Sequence, residues 1–300
     1  METVAIVGVG LIGGSFGLAL KKAGFAGKIL GVSAPGTLEK ALERGAIDQG
    51  LPLEQALQHA DLVYLSQPIS RILETLASIE PWLRPGSLVT DAGSTKAKIV
   101  GQAQRSIRQT QFLGGHPLAG KERRGVQEAD PDLFLGRTYV LTPGDPSELE
   151  TAPAREFIQW VKAIGAVPLS LSPGEHDRIV SLTSHLPQLL ATALASALAG
   201  RLGPAEHLQV AGPGLRDTIR LASSPYDIWG DILKTNTCEI EAALAAYIAK
   251  LEDLRAHLCS ERMRQEFHIA NEFASRLKRQ HTCESTAQVR STPSLERSTG

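Results

Sequence analysis

The start of the chain constrains the fold more than any other part of the sequence. The apolar run Thr3–Val7 leads directly into Gly8, Gly10 and Gly13, which form a G-x-G-x-x-G pattern at the beginning of a helical stretch. After a strand, the first glycine makes a tight turn, the second lets a pyrophosphate approach the backbone, and the third lets helix and strand pack closely. The sequence therefore predicts a βαβ unit that binds a dinucleotide. A glycine-rich turn without a ligand would leave these glycines unexplained.

Strand and helix patterns alternate as far as residue 170. The predicted strands are Thr3–Val7, Lys28–Val32, 61–65, 87–90, 111–113, Thr138–Thr142 and 166–170. The helical patterns between them cover residues 11–23, 38–44, 69–79, 95–108 and 147–164. The first of these strands contain almost no polar residues, which is typical of parallel strands covered on both faces. The first domain is therefore expected to be a doubly wound α/β sheet of the Rossmann type.

The pattern becomes helical at Ser172, and no strand is predicted after it. Ser172 is a candidate N-cap, with Pro173 at the first helical position and Glu175 at the third. The helical pattern then runs to Ala199, and a kink is expected at Pro187 because proline has no N–H to donate within a helix. The second domain is therefore expected to be all helical.

A second helix start is predicted at 224–227, where Ser224 and Pro225 repeat the cap pattern of Ser172 and Pro173. It opens a long helix toward Leu258, and a further helix covers 262–279. Leucine and alanine are more frequent in the long helices after Ser170, for example at residues 189–195, than in helices that face solvent, which favours a homodimer. The last residues are rich in Ser and Thr and poor in large apolar side chains, so they are expected to be disordered. The predicted domains are residues 1–171 for dinucleotide binding, 172–281 for substrate binding and dimerisation, and 282–300 for the disordered tail.

The end of the second predicted strand bears on the choice of cofactor. A carboxylate there would bind the ribose 2′-hydroxyl of NAD and repel the 2′-phosphate of NADP. Here the position is Ser33, and Thr37 follows in the loop, so both hydroxyls could bind a phosphate. We therefore expect NADP, with NAD as the alternative if Ser33 is only a small strand-end residue. The expected cofactor contacts are Gly8, Gly10, Leu11, Ile12, Gly13, Ser33, Thr37, Gln67, Pro68, Asp91 and Ala92.

Two polar segments follow the fourth and fifth predicted strands. Ser94 lies in the segment 91–96, and His116 lies between a glycine pair and Pro117. Because ligands of doubly wound sheets bind at the carboxyl ends of the strands, both side chains are candidates for chemistry at the nicotinamide. The alternatives are a helix cap for Ser94 and a structural role for His116.

A pair of arginines suggests how an acidic substrate could be held. Arg216 and Arg220 are four residues apart, so they would share a face if the segment is helical. Two guanidinium groups on one face suit bidentate binding of carboxylates. The alternative is a solvated basic turn in which Asp217 is their partner.

Composition excludes several classes of partner. Thirty-one Lys and Arg against 32 Asp and Glu give a net charge of −1, which predicts no binding to nucleic acid or to an anionic membrane. The apolar runs are too short to span a bilayer, and the N-terminus has no basic segment of the kind that opens a signal peptide. Cys238, Cys259 and Cys283 lie far apart, so we expect neither disulfides nor a metal site, and a cytoplasmic location.

Taken together, these motifs resemble the prephenate/arogenate dehydrogenase family of tyrosine biosynthesis. The resemblance covers about residues 1–280 and rests on the segments 8–15, 91–96, 115–120, 184–187 and 214–220, followed by Trp229. Ser33 departs from the family, because many NAD-using members carry Asp there. The resemblance implies oxidative decarboxylation of prephenate or arogenate, with hydride transfer to NAD(P), to give 4-hydroxyphenylpyruvate or tyrosine.

The resemblance also implies roles for individual side chains. His116 would accept the proton of the substrate hydroxyl, and Ser94 would hydrogen-bond that hydroxyl or the imidazole. Arg220 would bind a substrate carboxylate, and its spacing of four residues from Arg216 makes Arg216 a second candidate. The other implied substrate contacts are His185, Glu122 and Trp229. Taken alone, His185 would be interpreted as a buried helix histidine, Trp229 as a core or interface residue, and His176 as part of a helix cap.

Two other functions remain as alternatives. The first is another NADP-dependent β-hydroxy-acid or imine oxidoreductase with the same two-domain plan, which would not explain the segment 115–120. The second is a non-catalytic NADP-sensing module, which would not need His116, Ser94 or the arginine pair. The sequence does not distinguish the keto acid prephenate from the amino acid arogenate as the substrate.

Overall fold

A single mixed sheet forms the centre of the protein. The computed structural model describes residues 1–121, 123–203 and 205–290, and within them the sheet has eight strands. The strands are β1 (Thr3–Val7), β2 (Lys28–Val32), β3 (Gln49–Gly50), β4 (Leu62–Leu65), β5 (Leu88–Asp91), β6 (Gln111–Pro117), β7 (Thr138–Thr142) and β8 (Val167–Ser170). Their spatial order is β3-β2-β1-β4-β5-β6-β7-β8.

The strand directions confirm the doubly wound prediction. All neighbouring strands from β3 to β6 are parallel, β6 and β7 are antiparallel, and β8 is parallel to β7. The order β3-β2-β1-β4-β5-β6 is that of a dinucleotide-binding sheet, and it reverses between β1 and β4. The carboxyl ends of β1, β4 and β5 lie level, because Val7 pairs with Leu65 and Leu65 with Asp91. This edge of the sheet is where a ligand is expected.

Helices connect most of the strands and follow the last of them along the described chain. They are α1 (Leu11–Lys22), α2 (Pro35–Glu43), α3 (Leu53–His59), α4 (Ile69–Leu76), α5 (Ala97–Ser106), α6 (Ala152–Ala163), α7 (Pro173–Val180), α8 (Leu186–Ala199), α9 (Ala205–Gln209), α10 (Pro213–Ile219), α11 (Tyr226–Thr235), α12 (Thr237–Ala256) and α13 (Glu261–Arg290). One core cluster holds the sheet domain together: Phe16 of α1 stacks on Tyr64 of β4 with ring centroids 4.0 Å apart, and Phe134 and Phe157 contact Phe16 edge-on.

Three predicted strands have the bounds found in the structure, and the differences elsewhere have local causes. The sequence analysis missed β3 and α3, because two and seven residues are too short to show a period. The fifth predicted strand extends to Pro117, because the second half of β6 pairs with β7 and His116 lies opposite Val140. Its Gly-Gly-His-Pro sequence has low strand propensity, so the pairing overrides it.

The helical region begins as predicted. The Ser172 hydroxyl accepts a hydrogen bond from the backbone N–H of Glu175 at 3.2 Å, which confirms the N-cap. In place of a simple kink at Pro187, a π-helical turn covers Ser181–His185 and α8 begins immediately after it. Proline cannot donate to the carbonyl four residues earlier, and a widened turn accommodates its ring.

The second long helix differs from the prediction. The helix expected from 224–227 toward Leu258 is divided at Asn236 into α11 and α12. Asn236 is buried, and its side-chain amide donates to the carbonyl of Asp177 at 2.8 Å, so a tertiary contact interrupts the helical pattern. Pro225 occupies the cap position of α11 without a side-chain hydrogen bond, so Ser224 is not its cap.

Two compact units emerge from the pattern of contacts, Met1–Ala243 and Leu244–Gly300. The first contains the whole sheet together with α7 to α11, because contacts such as that of Ser70 N–H with Asp231 at 2.9 Å tie α11 to the sheet domain. The expected boundary after residue 171 therefore does not coincide with this division, and the predicted domains stay a proposal.

The expected disordered tail also differs from the structure. Helix α13 continues to Arg290, where disorder was expected from residue 282, and residues 291–300 lie outside the described part. Glu284, Ala287 and Gln288 are good helix formers, which compensates for the neighbouring Ser and Thr. In the described chain, no helix is both long and apolar enough to cross a membrane.

Candidate active site

A cavity of about 640 Å³ lies where the carboxyl ends of β1, β2 and β4 meet. Among the expected cofactor contacts, those that line it are Gly8, Gly10, Ser33, Thr37, Gln67 and Pro68. This cavity, called the cofactor cavity below, is at the point where the strand order reverses, which is the position that dinucleotides occupy in such sheets.

The glycines of the first loop have the geometry that the motif predicts. Gly8 has a φ of +96°, which disfavours any residue with a side chain. A Cβ at Gly13 would lie 2.5 Å from the carbonyl oxygen of Gly8, so only glycine allows helix and loop to approach so closely. No atom lies within 4 Å of a Cβ built at Gly10, whose backbone faces open space. This cradle fits a pyrophosphate.

The other predicted contacts of this loop act through the backbone. The side chains of Leu11 and Ile12 pack against the core, but these residues open α1. The first N–H groups of a helix have no partner within it, and they are therefore available to an anion.

Two cations line the same cavity and were missed as cofactor contacts. Lys40 lies on α2 and Arg71 on α4, near Ser33 and Thr37, and Arg71 also pairs with Glu74 at 2.6 Å. Helix α2 begins at Pro35, one turn earlier than predicted, which brings Lys40 into the second turn of the helix after β2. The position of Lys40 one helical turn after the loop is the signal that could have identified it.

Asp91 does not line the cofactor cavity, contrary to expectation. Its carboxylate is completely buried, pairs with the ammonium group of Lys96, and accepts hydrogen bonds from the N–H groups of Gly93 at 2.8 Å and Gly115 at 3.2 Å. Lys96 is equally buried and also donates to the Gly115 carbonyl at 2.6 Å. Burial lowers the pKa of Lys96, and the charge of Asp91 opposes that shift. The pair ties the end of β5 to the middle of β6.

Ala92 is the other expected contact that the structure places elsewhere. It does not line the cavity and packs against the core. The burial of Asp91 at the end of β5 is therefore better explained by its hydrogen bonds to the following loop and to β6 than by contact with a ligand.

A second cavity, of about 490 Å³, lies beside the ends of β5 and β6. It brings together Ser94, His116 and His185, three residues predicted for the site from separate parts of the chain. Most of its other walls are apolar, formed by Leu118, Val140, Leu169, Leu171, Ile179, Val180 and Ile232. The cavity can therefore hold a ring-shaped substrate with little water around a few polar groups.

His116 is held in its neutral form. Burial lowers its pKa well below the ordinary histidine value, and the positive charges of His176, Lys96 and His185 would add to that effect. A neutral imidazole at the wall of an apolar cavity is a proton acceptor. Ser94 lines the same cavity, and in the described part of the chain its hydroxyl makes no hydrogen bond with His116.

His185 is buried in the π-helical turn. Its Nδ1 lies 3.3 Å from the amide nitrogen of Asn236, and its ring makes an edge contact with Trp229, with centroids 6.0 Å apart. Burial lowers the pKa of His185 to about 4, so it is neutral at ordinary pH. The structure therefore joins two residues that the sequence analysis predicted separately.

His176 was assigned to a helix cap, but it also lines the second cavity, which is called the catalytic cavity below. Its Nε2 lies 2.8 Å from Nδ1 of His116, and its Nδ1 lies 2.8 Å from a carboxylate oxygen of Asp177. His176 is fully buried. Its spacing of four residues from the buried Val180 placed it on the inner face of α7, which is the signal that could have found it.

The arginine pair is not brought to this cavity. Arg216 lies on α10, Arg220 begins the 3₁₀ turn that follows, and both are exposed. Neither is among the described residues that line the cavity. Because α10 ends at Ile219, the expected shared helical face is not fully formed. Glu122 lies outside the described residues.

Comparisons with known proteins agree on one family. Residues 16–167 match the family model described as the prephenate dehydrogenase nucleotide-binding domain, and residues 172–272 match the prephenate dehydrogenase dimerization domain. A prephenate dehydrogenase of Lactococcus lactis is 36% identical over 264 residues, covering 86% of this chain and 70% of its own. One of Bacillus subtilis is 32% identical, covering 87% and 71%.

Solved structures give the same picture. A crystal structure of prephenate dehydrogenase from A. aeolicus, in complex with hydroxyphenyl propionate and NAD⁺, superposes with a TM-score of 0.81 and 31% identity, covering 94% of this chain and 98% of its own. A Synechocystis arogenate dehydrogenase has a TM-score of 0.72 and 30% identity, covering 97% and 100%.

Proposed function

The chain belongs to the prephenate dehydrogenase family, and we propose that it oxidatively decarboxylates prephenate or arogenate with NADP in tyrosine biosynthesis. The observation that carries this proposal is the position of a neutral His116 beside Ser94 in an apolar cavity. That cavity lies at the same edge of the sheet as the cofactor cavity.

The reaction needs mainly a positioned proton acceptor and a pocket from which water is excluded. His116 accepts the proton of the substrate 4-hydroxyl as the ring carboxylate leaves as CO₂ and the ring becomes aromatic. A nicotinamide held in the cofactor cavity would supply the acceptor for the hydride that leaves the hydroxyl-bearing carbon. Ser94 orients the hydroxyl, and the apolar wall excludes water that would compete for the proton. Aromatisation supplies much of the driving force.

The choice of NADP is supported by the charges around Ser33. No carboxylate lines the described part of the cofactor cavity at that position, while Lys40 and Arg71 supply positive charge. A 2′-phosphate carries negative charge and favours such surroundings. NAD is the alternative, since its ribose needs neither cation.

The remaining site residues stay proposals. Trp229 has support from its edge contact with His185. Arg220 and Glu122 are proposed as substrate contacts on the family resemblance, and Arg216 on its spacing of four residues from Arg220. A homodimer is supported by the match of residues 172–272 to a dimerization domain and by exposed Phe267, Ile269 and Phe273 on α13. The cytoplasmic location also stays a prediction.

A spectroscopic assay tests the proposed function directly. The purified protein is incubated with prephenate or arogenate and with NADP or NAD, and the absorbance of the reduced nicotinamide is followed. We expect reduction of NADP with at least one of the two substrates. If neither substrate reduces either cofactor, the proposed function is wrong.

A further inference from the structure

We propose that His176 and Asp177 form a relay that positions His116 and fixes which of its ring nitrogens accepts the substrate proton. The inference rests on the proposed role of His116 and adds a positioning residue, His176, that does not itself touch the substrate's reacting atoms. Three side chains carry it, linked by two contacts of 2.8 Å each.

The relay starts at the carboxylate of Asp177. One of its oxygens accepts the backbone N–H of Lys96 at 2.7 Å, and the other accepts the backbone N–H of Ala97 at 2.9 Å. These groups open helix α5, where the helix dipole favours a negative charge. Both oxygens are thus acceptors, and the backbone of two segments fixes the orientation of the carboxylate.

The protonation of both imidazoles follows from that starting point. His176 Nδ1 faces a carboxylate oxygen that already accepts, so Nδ1 carries the proton and, in the neutral ring, Nε2 is an acceptor. His116 Nδ1 lies 2.8 Å from that Nε2, so His116 donates through Nδ1. Its other nitrogen, Nε2, is left unprotonated, which is the state that a proton acceptor requires. The opposite tautomer would break the contact with His176.

The relay also stabilises His116 after it gains a proton. The groups that face His116 are Lys96 with its partner Asp91, His176 with Asp177, and His185. The positive forms of Lys96 and His185 oppose protonation of His116. A protonated His116 strengthens its hydrogen bond to His176, and the negative charge of Asp177 lies at the other end of that ring. The relay therefore favours proton acceptance during turnover while burial keeps the resting imidazole neutral.

Two substitutions at His176 separate positioning from folding. His176→Asn keeps a donor near the Nδ1 position facing Asp177 but has no acceptor for His116. His176→Gln places an amide oxygen near the Nε2 position, where it can accept from His116. We expect His176→Asn to lower kcat by roughly 10²-fold, because catalysis is lost when an acceptor is misplaced by about 1 Å. His176→Gln should recover most of that loss, with the Kd for NADP unchanged in both. His59→Asn, at an exposed histidine, is the matched control and should behave as the wild type.

Nitrogen-15 NMR of the imidazoles tests the relay without turnover. The wild-type protein should show both His116 and His176 protonated at Nδ1, and His176→Asn should abolish the preference at His116. A His116 protonated at Nε2, or variants that lose kcat equally and in proportion to a lower Tm, would overturn the proposal. A wild type inactive on both substrates would refute the proposed function, whereas the NMR result would still decide on the tautomer.

Discussion

The two cavities at the carboxyl edge of the sheet are built in different ways. The cofactor cavity is shaped mainly by backbone: a glycine at positive φ, a close approach at Gly13 and the free N–H groups of α1. The catalytic cavity is shaped by side chains from β5, β6, α7 and the π-helical turn, held by buried polar contacts. A site formed by backbone requires a continuous motif that can be recognised in the sequence. A site formed by side chains uses residues far apart in the chain, and their contacts cannot be recognised from the sequence.

Buried hydrogen bonds and an ion pair hold the side chains of the catalytic cavity in place. Asp91 and Lys96 hold the loop between β5 and α5 against β6, while Asp177 binds the start of α5 and His176. Asn236 joins the backbone of Asp177 to His185. Each buried polar atom in this network has a partner, which is the condition for such groups to add rigidity. The histidines therefore stand in fixed positions before any substrate binds.

Replacing His116 should have the largest effect of the substitutions considered, and it should affect the catalytic cavity without affecting the cofactor cavity. His116→Asn keeps a hydrogen-bonding group but removes the base, so turnover should fall roughly 10²- to 10⁴-fold while NADP still binds. Ser94→Ala should lower turnover less, because the role proposed for Ser94 is to orient the hydroxyl and not to take its proton. Steady-state kinetics and NADP titration measure both.

The pH profile of the wild type sharpens the same prediction. From the sequence alone, the acid limb of kcat is expected near the ordinary histidine value of about 6.5. Because burial lowers the pKa of His116, the limb should instead lie clearly below that value. A His116→Asn enzyme with near-normal turnover, or one with the wild-type acid limb, would leave His116 as a structural residue.

The sequence predicted the fold and the cofactor cavity well for reasons that are local. Apolar strands predict a buried parallel sheet, and the spacing of Gly8, Gly10 and Gly13 predicts the turn that approaches a dinucleotide. It also proposed Ser94 and His116, because each follows a glycine after a predicted strand, whereas His185 was proposed only from the family resemblance. It could not find the contact between His116 and His176, sixty residues apart, since no local pattern encodes it. The buried position of Asp91 was missed for a similar reason: Lys96 is five residues away in the sequence, but nothing in the sequence shows that both side chains are buried together.

Acid should destabilise the catalytic region before the cofactor region. Burial lowers the pKa of His185 to about 4, whereas an unfolded histidine titrates near 6.5. Below pH 6.5 the unfolded chain therefore binds the proton more readily, and the free energy of unfolding falls as the pH drops toward 4, by about 3 kcal/mol from this residue. His116 adds to the effect in the same direction. No histidine is among the described residues that line the cofactor cavity.

Urea unfolding at several pH values between about 7 and 4 measures this dependence. His185→Gln should flatten it, because the amide does not titrate, and His59→Gln should not. An unchanged slope in His185→Gln would show that His185 is not a neutral buried group.

A pair of glycine substitutions tests whether the cofactor cavity depends on backbone. Gly13→Ala places a Cβ 2.5 Å from the Gly8 carbonyl oxygen, so it should destabilise the fold by roughly 1–3 kcal/mol. Gly10→Ala meets no atom within 4 Å, so its Tm should be that of the wild type while its NADP affinity falls. Thermal unfolding and NADP titration separate the two effects. Normal NADP binding by Gly10→Ala would contradict the close approach of the pyrophosphate to this loop.

The smallest expected effect concerns Ser33 and Lys40, the side chains of the cofactor cavity that are proposed to favour NADP. Ser33→Asp should weaken NADP about tenfold, or about 1.4 kcal/mol, and strengthen NAD, because a carboxylate at the end of β2 repels the 2′-phosphate and binds the ribose hydroxyl. Lys40→Gln should weaken NADP without affecting NAD, because only the 2′-phosphate needs the charge. Kd values for both nucleotides, measured at low and high salt, give the test, since a charge effect shrinks as salt rises. A wild type that prefers NAD tenfold or more would contradict this prediction. Ser33 would then be only a small strand-end residue, and Lys40 would not bind a 2′-phosphate.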